Sequence, residues 1–570
     1  LEPGQEIEMV FALGADRAIE DVRRIVRELV NPGAARAELA RVREQWRAQL
    51  SQLTIHTPHE RTDLLANGWL LYQVLAARMF GRSGYYQSGG AWGFRDQLQD
   101  CMALLHARPD LAHAQLLRCA GRQFTEGDVQ HWWHPPSGKG VRTRISDDYL
   151  WLPHATARYV EVTGDTKALD ETMPFIEGRP LAVDEESSYD TAQASLESAS
   201  LYDHCKRAIE HGLRFGAHGL PLIGSGDWND GMNRIGHLGR GESVWLAFFL
   251  HDVLTRFAPL ADARGDTAAA TKWRGIAKTL AHAIDARAWD GAWYLRAWTD
   301  DGVPVGSASS EECKIDSLPQ SWAVLAVATD RARAGEAMGA VLRTLVHDDL
   351  RLVQLFAPPF DHSPIDPGYI KGYVPGVREN GGQYTHAAVW VAMALAKLGR
   401  HETAWRVARL LNPLSHATSQ VTAAHYKVEP YVMAADVYMA QGHAGRGGWT
   451  WYTGSAGWMH RLIVESLLGL TRRGTWLAFT PCVPDDWDTW SVDYREGGSL
   501  YRIAFAREGI GSAMTRIVLD GLEQKGDAIE LRDDGHEHAV EVRIGGASTV
   551  AGHAAKIDVD TTTSDQERTT

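Results

Sequence analysis

The chain has 570 residues and a formal net charge of −14, with 58 basic residues, 72 acidic residues and 44% hydrophobic residues. This length exceeds one ordinary core and predicts two to four domains, at roughly 100–200 residues each. The acidic balance and the lack of basic runs argue against nucleic acid as a partner.

The five cysteines lie far apart and form no CxxC pair, which argues against a disulfide framework and a zinc knuckle and favours a reducing compartment. No signal peptide is visible, and no uncharged apolar run reaches the roughly 18 residues of a membrane span. We therefore expect a cytoplasmic chain. Residues 1–14 contain EIEMVFALG, which is typical of a strand without its partners and suggests a fragment of a longer chain.

From residue 16 to residue 470 the apolar residues mostly recur at helical spacing. Ile19, Val22 and Val26 mark a first amphipathic face, which ends at the NPG sequence. Further helices are predicted over 35–50, 64–76, 94–107, 111–122, 148–162, 199–213, 243–257, 270–286, 317–328, 332–346, 384–398, 402–411, 430–440 and 457–470. The pattern predicts an all-α body of a dozen or more helices.

The connections between these helices are of two kinds. Some are short, such as HARPD at 106–110 and GRHE at 399–402. Long connections rich in Gly, Trp and His are typical of functional rather than disordered loops, and they lie at 81–93, 123–147, 214–242, 351–383, 412–429 and 441–456. The rough alternation of long and short connections predicts helix pairs in a closed toroid, with the long loops gathered at one end.

After residue 474 the pattern changes to period-two alternation with Gly and Asp-Gly turns, as in SVDYREGGSLYRIAFARE. This predicts a small antiparallel β domain. The final residues, DTTTSDQERTT, predict a frayed tail.

Many of the 21 tryptophans lie in Gly-rich polar segments, such as QHWWHPPSGKG and GRGGWTWYTGSAGW. Burial in a large core accounts for about half of them. Indole rings in loops also serve as flat platforms for the C–H faces of sugar rings. The aromatic loops therefore favour a carbohydrate ligand.

The stretch GSGDWNDGMNR at 224–234 places Asp227 and Asp230 three residues apart, around Trp228 and Asn229. Asn-Asp-Gly is also good turn chemistry, and carboxylates beside glycine often cap helices. The residues of this stretch alone leave both readings open, a structural turn and a loop that carries a catalytic acid.

Four other segments offer groups that such an acid would need beside it. GFRDQLQD supplies Arg95, Asp96, Gln99 and Asp100; SDDYLWLP supplies Asp147 and Asp148; GVRENGGQYTHAAVW supplies Arg378, Glu379, Gln383 and His386; WTWYTGSAGW supplies Thr453 and Gly454. Helix caps, ion pairs and a packed histidine are the structural alternatives, whereas exposed backbone before a helix suits an anion. No HExxH, GxSxG, Walker or Rossmann motif is present, which argues against metal, serine-hydrolase, nucleotide and dinucleotide sites.

Taken in chain order, FRDQLQD, SDDYLWLP, GDWNDGMN, DPGYIKGYVPGVRENGGQYTHAAVW, EPYV and WYTGSAGWM resemble the signature blocks of glycoside hydrolase family 94, the cellobiose phosphorylase family. HWWHPPSGKGVRTRISDDYLWLPHATARYV is most similar to the phosphorylase-like domain of cyclic β-1,2-glucan synthases, as is APPFDHSPIDPGYIKGYVPGVRENGGQYTHAA. The 1,2-β-oligoglucan phosphorylases are near relatives of that domain.

This resemblance implies a mainly α fold, an (α/α)6 barrel preceded by a large β-sandwich and followed by a small antiparallel β domain. Most of the sandwich is expected to be absent from this chain. The implied divisions are 1–14 as its last strand, 15–55 as linker helices, 56–473 as the catalytic barrel, 474–560 as the C-terminal β domain and 561–570 as a flexible tail.

The resemblance also implies an inverting phosphorylase that releases α-glucose 1-phosphate, reversibly, from β-1,2-linked glucooligosaccharides. Inverting hydrolysis needs an acid and a base that activates water. Phosphate is already an anionic nucleophile, so a pocket of cationic and N–H donors replaces the base. No cofactor is expected, and inorganic phosphate is the co-substrate.

By resemblance, Asp230 is the general acid, and Asp227 is the second choice. The expected substrate ligands are Arg95, Asp96, Gln99, Asp100, Asp148, Trp228, Asn229, Asp227, Glu379, Gln383 and Tyr431. The expected phosphate ligands are His386, Thr453, Gly454 and Arg378, and no metal ligand is expected. Within the site, Arg378, Lys371, Gln383 and Tyr431 are the weaker candidates.

Three alternatives stay open: an inverting β-glucan hydrolase, a phosphorylase of another β-glucoside linkage, and a non-catalytic glucan-binding module. The expected partners are the glucan, phosphate and the rest of a larger synthase chain or the sandwich, and a homodimer is a further expectation. Membership of a membrane synthase would place the chain at the cytoplasmic face of the inner membrane.

Overall fold

A closed ring of six helices forms the centre of the molecule. The computed structural model describes residues 1–16, 18–182, 184–509 and 513–545. In this part of the chain the inner helices are Phe94–Met102, Trp151–Thr163, Val244–Ala263, Ser317–Leu325, Thr385–Lys397 and Ser455–Arg461. Each inner helix contacts the next one along the chain, and the last contacts the first.

A second set of helices packs outside this ring, one against each inner helix. The outer helices are Pro109–Ala120, Leu201–Gly212, Thr267–Arg287, Arg331–Thr344, His401–Leu411 and the segment 60–80, which mixes α-helical and π-helical turns. Three inner helices, Val244–Ala263, Ser317–Leu325 and Thr385–Lys397, are mainly apolar and largely buried because the core surrounds them, and Trp245, Trp322 and Trp390 are buried there. The predicted (α/α)6 barrel is confirmed.

The connections alternate as the sequence predicts. Long loops precede the inner helices, and short ones lead to the outer helices, except that 164–200 contains the strands Thr172–Glu177, Ser187–Thr191 and Gln193–Ser200. Short strands stand directly before four inner helices, at Trp92–Gly93, Glu242–Ser243, Ile315–Asp316 and Gln383–Tyr384. The long loops are therefore anchored to the beginnings of the inner helices.

The helix Val244–Ala263 alone, among the described residues, has the length and apolar composition of a membrane span. Most of it is buried inside the barrel, where Phe248, Phe249 and Phe257 are inaccessible to solvent. Its apolar composition therefore reflects its place in the core.

The C-terminal β structure is packed beside the barrel, and its main sheet includes a strand from before the barrel. The sheet order is Leu53–His56, Thr489–Glu496, Ser499–Arg507, Glu537–Ile544, Met514–Leu519 and Leu522–Glu523. All its pairs are antiparallel except Ser499–Arg507 with Glu537–Ile544. A smaller antiparallel sheet joins Leu470–Arg473, Trp476–Phe479 and Ala528–Glu530. The β structure thus begins slightly before the predicted boundary at 474.

The N-terminal segment contains the helices Ile19–Leu29 and Pro32–Leu50, as predicted. Residues 1–16 form no assigned strand within the described residues, and their interpretation as a strand of another domain stays a prediction. The predicted tail at 561–570 lies outside the described residues, as do 546–560 of the predicted β domain.

The predicted helix over 430–440 is wrong. This segment is extended, and Asp436–Val437 pairs with Gln383–Tyr384. The buried Gln73 amide bonds to both the N–H and the carbonyl of Met433, at 2.8 and 3.0 Å. Tertiary hydrogen bonds therefore override the helical propensity of this stretch.

Other elements that the apolar spacing missed lie mostly in the connections between the helices. They are the hairpin Gln130–His134 and Lys139–Thr143, the helix Gln420–Tyr426, and the short strands Ala297–Trp298, Pro304–Val305, Val346–His347, Leu352–Val353 and Phe356–Ala357. Single 3₁₀ turns occur at Asp148–Leu150, Lys167–Asp170, Asp230–Met232, Tyr369–Gly372 and Pro413–His416.

Candidate active site

A cavity of about 360 Å³ lies at the end of the barrel where the inner helices begin. Its wall includes Arg78, Gly93, Arg95, Asp96, Gln99, His131, Trp132, His134, Trp228, Asp230, Arg378, Glu379, Tyr384, His386, Asp436, Trp449, Tyr452, Thr453 and Gly454. Three inner helices present their N-terminal ends to it, where unpaired N–H groups carry partial positive charge. Loops far apart in sequence thus meet in one polar cavity.

Asp230 stands in this wall with its side chain 35% exposed. The Arg95 guanidinium donates to Asp230 Oδ1 through Nη2. The same guanidinium donates to the carbonyl oxygens of Asp227 and Trp228, at 2.8 and 3.2 Å. One arginine therefore fixes both the backbone of the loop and the carboxyl group that it presents to the cavity.

Asp227, the second-choice acid and an expected substrate ligand, lies behind this loop and is fully buried. Arg296 donates to both its carboxylate oxygens, at 2.6 and 2.7 Å, and Ser243 Oγ donates at 2.6 Å. Burial alone would raise the pKa of Asp227, but the Arg296 ion pair outweighs it and holds the pKa below its usual value. Because its oxygens are already bonded away from the cavity, the geometry favours Asp230 over Asp227 as the acid, and both Asp227 roles stay predictions.

Asp100 and Asp148, also expected substrate ligands, are buried behind the cavity wall. Asp100 accepts from Arg78 Nε at 2.7 Å, and Asp148 Oδ2 lies 2.8 Å from His131 Nδ1. Burial raises the pKa of Asp100 to about 6, although Arg78 opposes the rise. Each therefore holds a side chain that lines the cavity, and direct contact of either aspartate with substrate stays a prediction.

Asn229 and Gln383 are buried as well, and their side chains serve the backbone. Asn229 Oδ1 accepts from the N–H of Gly231 at 3.1 Å, which closes the turn that carries Asp230. Gln383 Oε1 accepts from the N–H of Val353 at 2.9 Å. Asn229 Nδ2 is buried without a hydrogen-bond partner in the described residues, and the expectation that the two amides contact substrate stays a prediction.

Tyr431 lies outside this cavity, in a separate groove of about 720 Å³ that it shares with Trp69, Tyr72 and Trp451. Its ring is 4.5 Å from that of Trp69. Lys371, another of the weaker candidates, donates to the carbonyl of Ser363 at 3.0 Å. Tyr431 is therefore absent from the wall that contains Asp230, and its role as a substrate ligand stays a prediction.

Arg95, Asp96 and Gln99 do reach the cavity, as expected from their motif. The Asp96 side chain is 48% exposed, and Arg78 Nη2 lies 3.3 Å from its Oδ1. Burial would raise the pKa of Asp96, but Arg78 and Arg95 outweigh it and lower the pKa. An accessible carboxylate of this kind can accept hydrogen bonds from sugar hydroxyls.

Trp228 lines the cavity beside two other rings. Its ring centroid lies 5.3 Å from that of Tyr384 and 5.2 Å from that of His386, both edge to face. Most of the indole is buried, so it offers one edge to a ligand and holds the neighbouring rings with the rest.

His386, Thr453 and Gly454 come together at the beginning of the last inner helix. A Cβ at Gly454 would lie 3.4 Å from His386 Nδ1, so the missing side chain leaves room beside the ring. Burial lowers the pKa of His386 to about 3, which keeps the imidazole neutral near pH 7. Its Nε2 is buried without a hydrogen-bond partner in the described residues. Thr453 Oγ1 accepts from the N–H of Ser455 at 3.2 Å and lies 2.9 Å from Ser455 Oγ. The imidazole and the remaining N–H groups at the beginning of this helix are the groups left for an anion.

Arg378 and Glu379 complete this part of the wall. Arg378 Nε lies 3.3 Å from Glu379 Oε2, and its guanidinium stacks over the rings of Tyr373 and Trp449 at 4.8 and 5.1 Å. Burial raises the pKa of Glu379 to about 6, with Arg378 opposing the rise. The cavity therefore contains a second carboxyl group, close to an arginine that aromatic rings hold in place.

Several wall residues had no role in the sequence prediction. Arg78 comes from the outer segment 60–80, where no motif marks it, and it stacks over the Tyr452 ring at 4.0 Å. His131 and Trp132 lie on a strand that pairs with Trp92–Gly93. The aromatic run QHWWHPPSGKG was the available signal for them.

No group of three or more His, Cys, Asp or Glu side chains suited to a metal occurs in the described residues.

Comparisons with known proteins agree with this geometry. The profile of the Glycosyl hydrolase 94 superfamily, catalytic domain, matches residues 45–469. The chain is 48% identical over 509 residues to the cyclic beta-(1,2)-glucan synthase NdvB of Rhizobium meliloti, an alignment that covers 89% of this chain and 18% of the synthase. It is 30% identical over 550 residues to the solabiose phosphorylase of Paenibacillus borealis, covering 95% of this chain and 67% of that enzyme.

Among solved structures, the GH78 family rhamnosidase of Bacillus sp. GL1 has a similar fold, with a TM-score of 0.53 at 14% sequence identity. The match covers 87% of this chain and 44% of the rhamnosidase. The family match spans the whole ring of inner helices that carries the cavity. The chain therefore belongs to the glycosyl hydrolase 94 superfamily of carbohydrate-active enzymes.

Proposed function

We propose that this chain is an inverting glycoside phosphorylase that cleaves β-1,2-linked glucooligosaccharides with inorganic phosphate and releases α-glucose 1-phosphate. The observation that carries the proposal is the content of one cavity. It contains an accessible carboxyl group, Asp230, together with the anion-binding groups of His386, Thr453 and Gly454. An acid and an anion site are what phosphorolysis requires of a protein.

In this reaction Asp230 gives its proton to the glycosidic oxygen as the bond from that oxygen to C1 breaks. An oxygen of hydrogen phosphate attacks C1 from the opposite face, so the β-linkage becomes an α-phosphate. Asp230 is left as a carboxylate, which Arg95 stabilises because it already bonds to Oδ1. The sugar phosphate releases to solvent the proton that hydrogen phosphate brought. Asp230 takes up one proton, so the enzyme returns to its starting protonation state.

The proposed phosphate ligands combine fixed charges with N–H and O–H donors. Arg78 and Arg378 supply positive charge at the cavity wall. His386 is neutral, so it donates one N–H bond rather than a charge, and the Gly454 backbone leaves space for the anion beside it. Ordered donors of this kind place phosphate in line with C1 and lower the entropic barrier.

The β-1,2 linkage rests on the similarity to the cyclic β-(1,2)-glucan synthase, and phosphorolysis is supported by the similarity to solabiose phosphorylase. Trp132 and Trp449 line the cavity and offer indole faces to sugar rings. We place the chain in the cytoplasm, as one part of a larger synthase, where it would trim glucan chains.

The test is an assay of sugar phosphate release from β-1,2, β-1,3 and β-1,4 glucooligosaccharides, with and without phosphate. We expect phosphate-dependent release from the β-1,2 panel alone, and a loss of about 10²–10⁴-fold in kcat for Asp230→Asn. That variant should still bind the oligosaccharide in calorimetry.

Release of free glucose without phosphate would instead identify an inverting hydrolase. Phosphorolysis of β-1,3 or β-1,4 glucooligosaccharides would change the proposed substrate linkage. Oligosaccharide binding without turnover by the unsubstituted chain would support a binding module, and full turnover by Asp230→Asn would remove Asp230 as the acid.

A further inference from the structure

His131 lies between two carboxyl groups, one buried and one exposed to the cavity. Its Nδ1 is 2.8 Å from Asp148 Oδ2, and its Nε2 is 3.7 Å from Asp230 Oδ2. The imidazole is 13% exposed, at the cavity wall. It therefore faces the oxygen of Asp230 that Arg95 does not bond.

The position of this ring is set by rigid structure. His131 belongs to the strand Gln130–His134, which pairs with Trp92–Gly93 immediately before the helix that carries Arg95. Asp148 is fixed in turn, because the Thr143 hydroxyl lies 3.4 Å from its Oδ2 and Arg95 Nε lies 3.5 Å from its Oδ1. The Asp148 carboxylate orients the imidazole so that Nε2 faces Asp230.

Four charged groups act on this imidazole. Burial alone would lower the pKa of His131, but Asp148 and Asp230 outweigh it and raise the pKa to about 9, while Arg95 opposes them. Asp96 is the fourth group, and its carboxylate adds to the attraction. At neutral pH the ring therefore carries a proton on the nitrogen that faces Asp230.

We propose that His131 is the proton donor that recharges Asp230, and that Asp148 positions it for this step. The Nε2–H bond of the imidazolium breaks as an O–H bond forms at Asp230 Oδ2. The carboxyl group then delivers that proton to the glycosidic oxygen, and the neutral imidazole regains a proton from solvent. A hydrogen bond needs the 3.7 Å gap to close by about 0.8 Å, which a small rotation of the Asp230 carboxyl group that keeps the Arg95 bond to Oδ1 would supply.

This inference rests on the proposed function, because it assigns His131 a task only if Asp230 is the acid. It has a consequence that a structural histidine would not produce. The proton that Asp230 receives comes from the imidazolium, so loss of that proton from His131 sets the alkaline limit of activity. As pH rises through the pKa of His131, about 9, that proton is lost and turnover falls.

The experiment measures the pH profile of phosphorolysis from pH 5 to pH 10 for the full chain and for His131→Gln, His131→Asn and Asp148→Asn. In both His131 variants we expect the alkaline limb of kcat/KM to move down by at least about one pH unit, and kcat at pH 8 to fall about 10²-fold. Asp148→Asn should move the limb in the same direction, because the imidazole loses its partner. Oligosaccharide KM should change by less than about threefold, since His131 acts on the acid and not on binding.

The matched control is His113→Gln. His113 also pairs with a carboxylate, its Nε2 lying 2.6 Å from Glu171 Oε1, but it lies away from the cavity. Its pH profile should match that of the unsubstituted chain, and melting temperatures of all variants report whether they fold. If Asp230→Asn is inactive while folded His131→Gln or His131→Asn keeps the original alkaline limb, the role of His131 is wrong and the proposed function stands. If Asp230→Asn keeps full turnover, both fail.

Discussion

Asp227 and Asp230 are three residues apart, and we expect their amide variants to fail in opposite ways. Asp227→Asn should destabilise the fold, whereas Asp230→Asn should abolish turnover and leave the melting temperature almost unchanged. The reason is burial: Asp227 and Arg296 are both inaccessible to solvent, while the Asp230 side chain is 35% exposed.

The size of the first effect follows from the ion pair. Asp227→Asn removes the charge that faces Arg296 at 2.6 Å and leaves the guanidinium with Asp316, whose Oδ2 is 3.2 Å from Nε. Breaking a buried pair costs about 3–5 kcal/mol, because the other charge stays buried. With about 2.1 cal/mol/K of unfolding entropy per residue over roughly 425 barrel residues, the melting temperature should fall by about 3–6 °C.

For Asp230→Asn the structure predicts a change of less than about 1 kcal/mol, the usual worth of a partly exposed ion pair. Arg95 keeps its bonds to Asp147 and to the carbonyl oxygens of Asp227 and Trp228. The melting temperature should therefore move by about 1 °C or less.

The assay is calorimetry of the three proteins at one scan rate and one pH, beside phosphorolysis rates. A fixed scan rate matters because large proteins often unfold irreversibly. Equal melting temperatures for Asp227→Asn and the unsubstituted chain would refute the reasoning from burial. A fall of several degrees for Asp230→Asn would refute it as well.

Two further predictions concern the anion side of the cavity. Gly454→Ala should fold normally, because its Cβ would sit at ordinary contact distances of 3.4 Å from His386 Nδ1 and 3.6 Å from Asp100 Oδ1. The methyl group should raise the KM for phosphate about tenfold, which corresponds to about 1.4 kcal/mol of lost binding free energy. The KM for oligosaccharide should stay unchanged. An unchanged KM for phosphate would contradict the anion site. His386 has a pKa of about 3 in the folded chain, below its ordinary value, so the unfolded state binds more protons as pH falls from about 6.5. Between pH 7.5 and pH 5 the melting temperature of the unsubstituted chain should therefore fall further than that of His386→Asn. If the difference between the two melting temperatures stays constant over this range, the imidazole is not buried in its neutral form.

The helix pairs and the gathering of long loops at one end were predictable from the sequence, because apolar spacing and loop length are local signals. The helix over 430–440 was not excluded by such signals, since the Gln73 amide that holds Met433 extended comes from a distant segment. Arg78 was missed for the same reason. It lies in a helical segment with an unremarkable pattern, and only the closed ring brings it to Asp96 and Asp100.

The motif around Asp227 and Asp230 shows what a motif can and cannot specify. Its residue types predicted a carboxyl group at the site, but the assignment of roles depends on partners from other loops. Arg296 and Ser243 meet Asp227, and Arg95 meets Asp230. None of these three partners is close in sequence to the aspartate that it contacts.

The same partners explain how the loop keeps one carboxyl group accessible. Ser243 caps the helix Val244–Ala263 and donates to Asp227, while Asp316 caps the helix Ser317–Leu325 and lies 3.2 Å from Arg296. Asp227 is therefore clamped, through Arg296, to the beginnings of two neighbouring inner helices. That clamp holds the backbone of the loop, and the buried Arg95 guanidinium holds the Asp230 carboxyl group. The loop therefore presents one carboxyl group to the cavity, 35% exposed, while its neighbour stays buried and paired with Arg296.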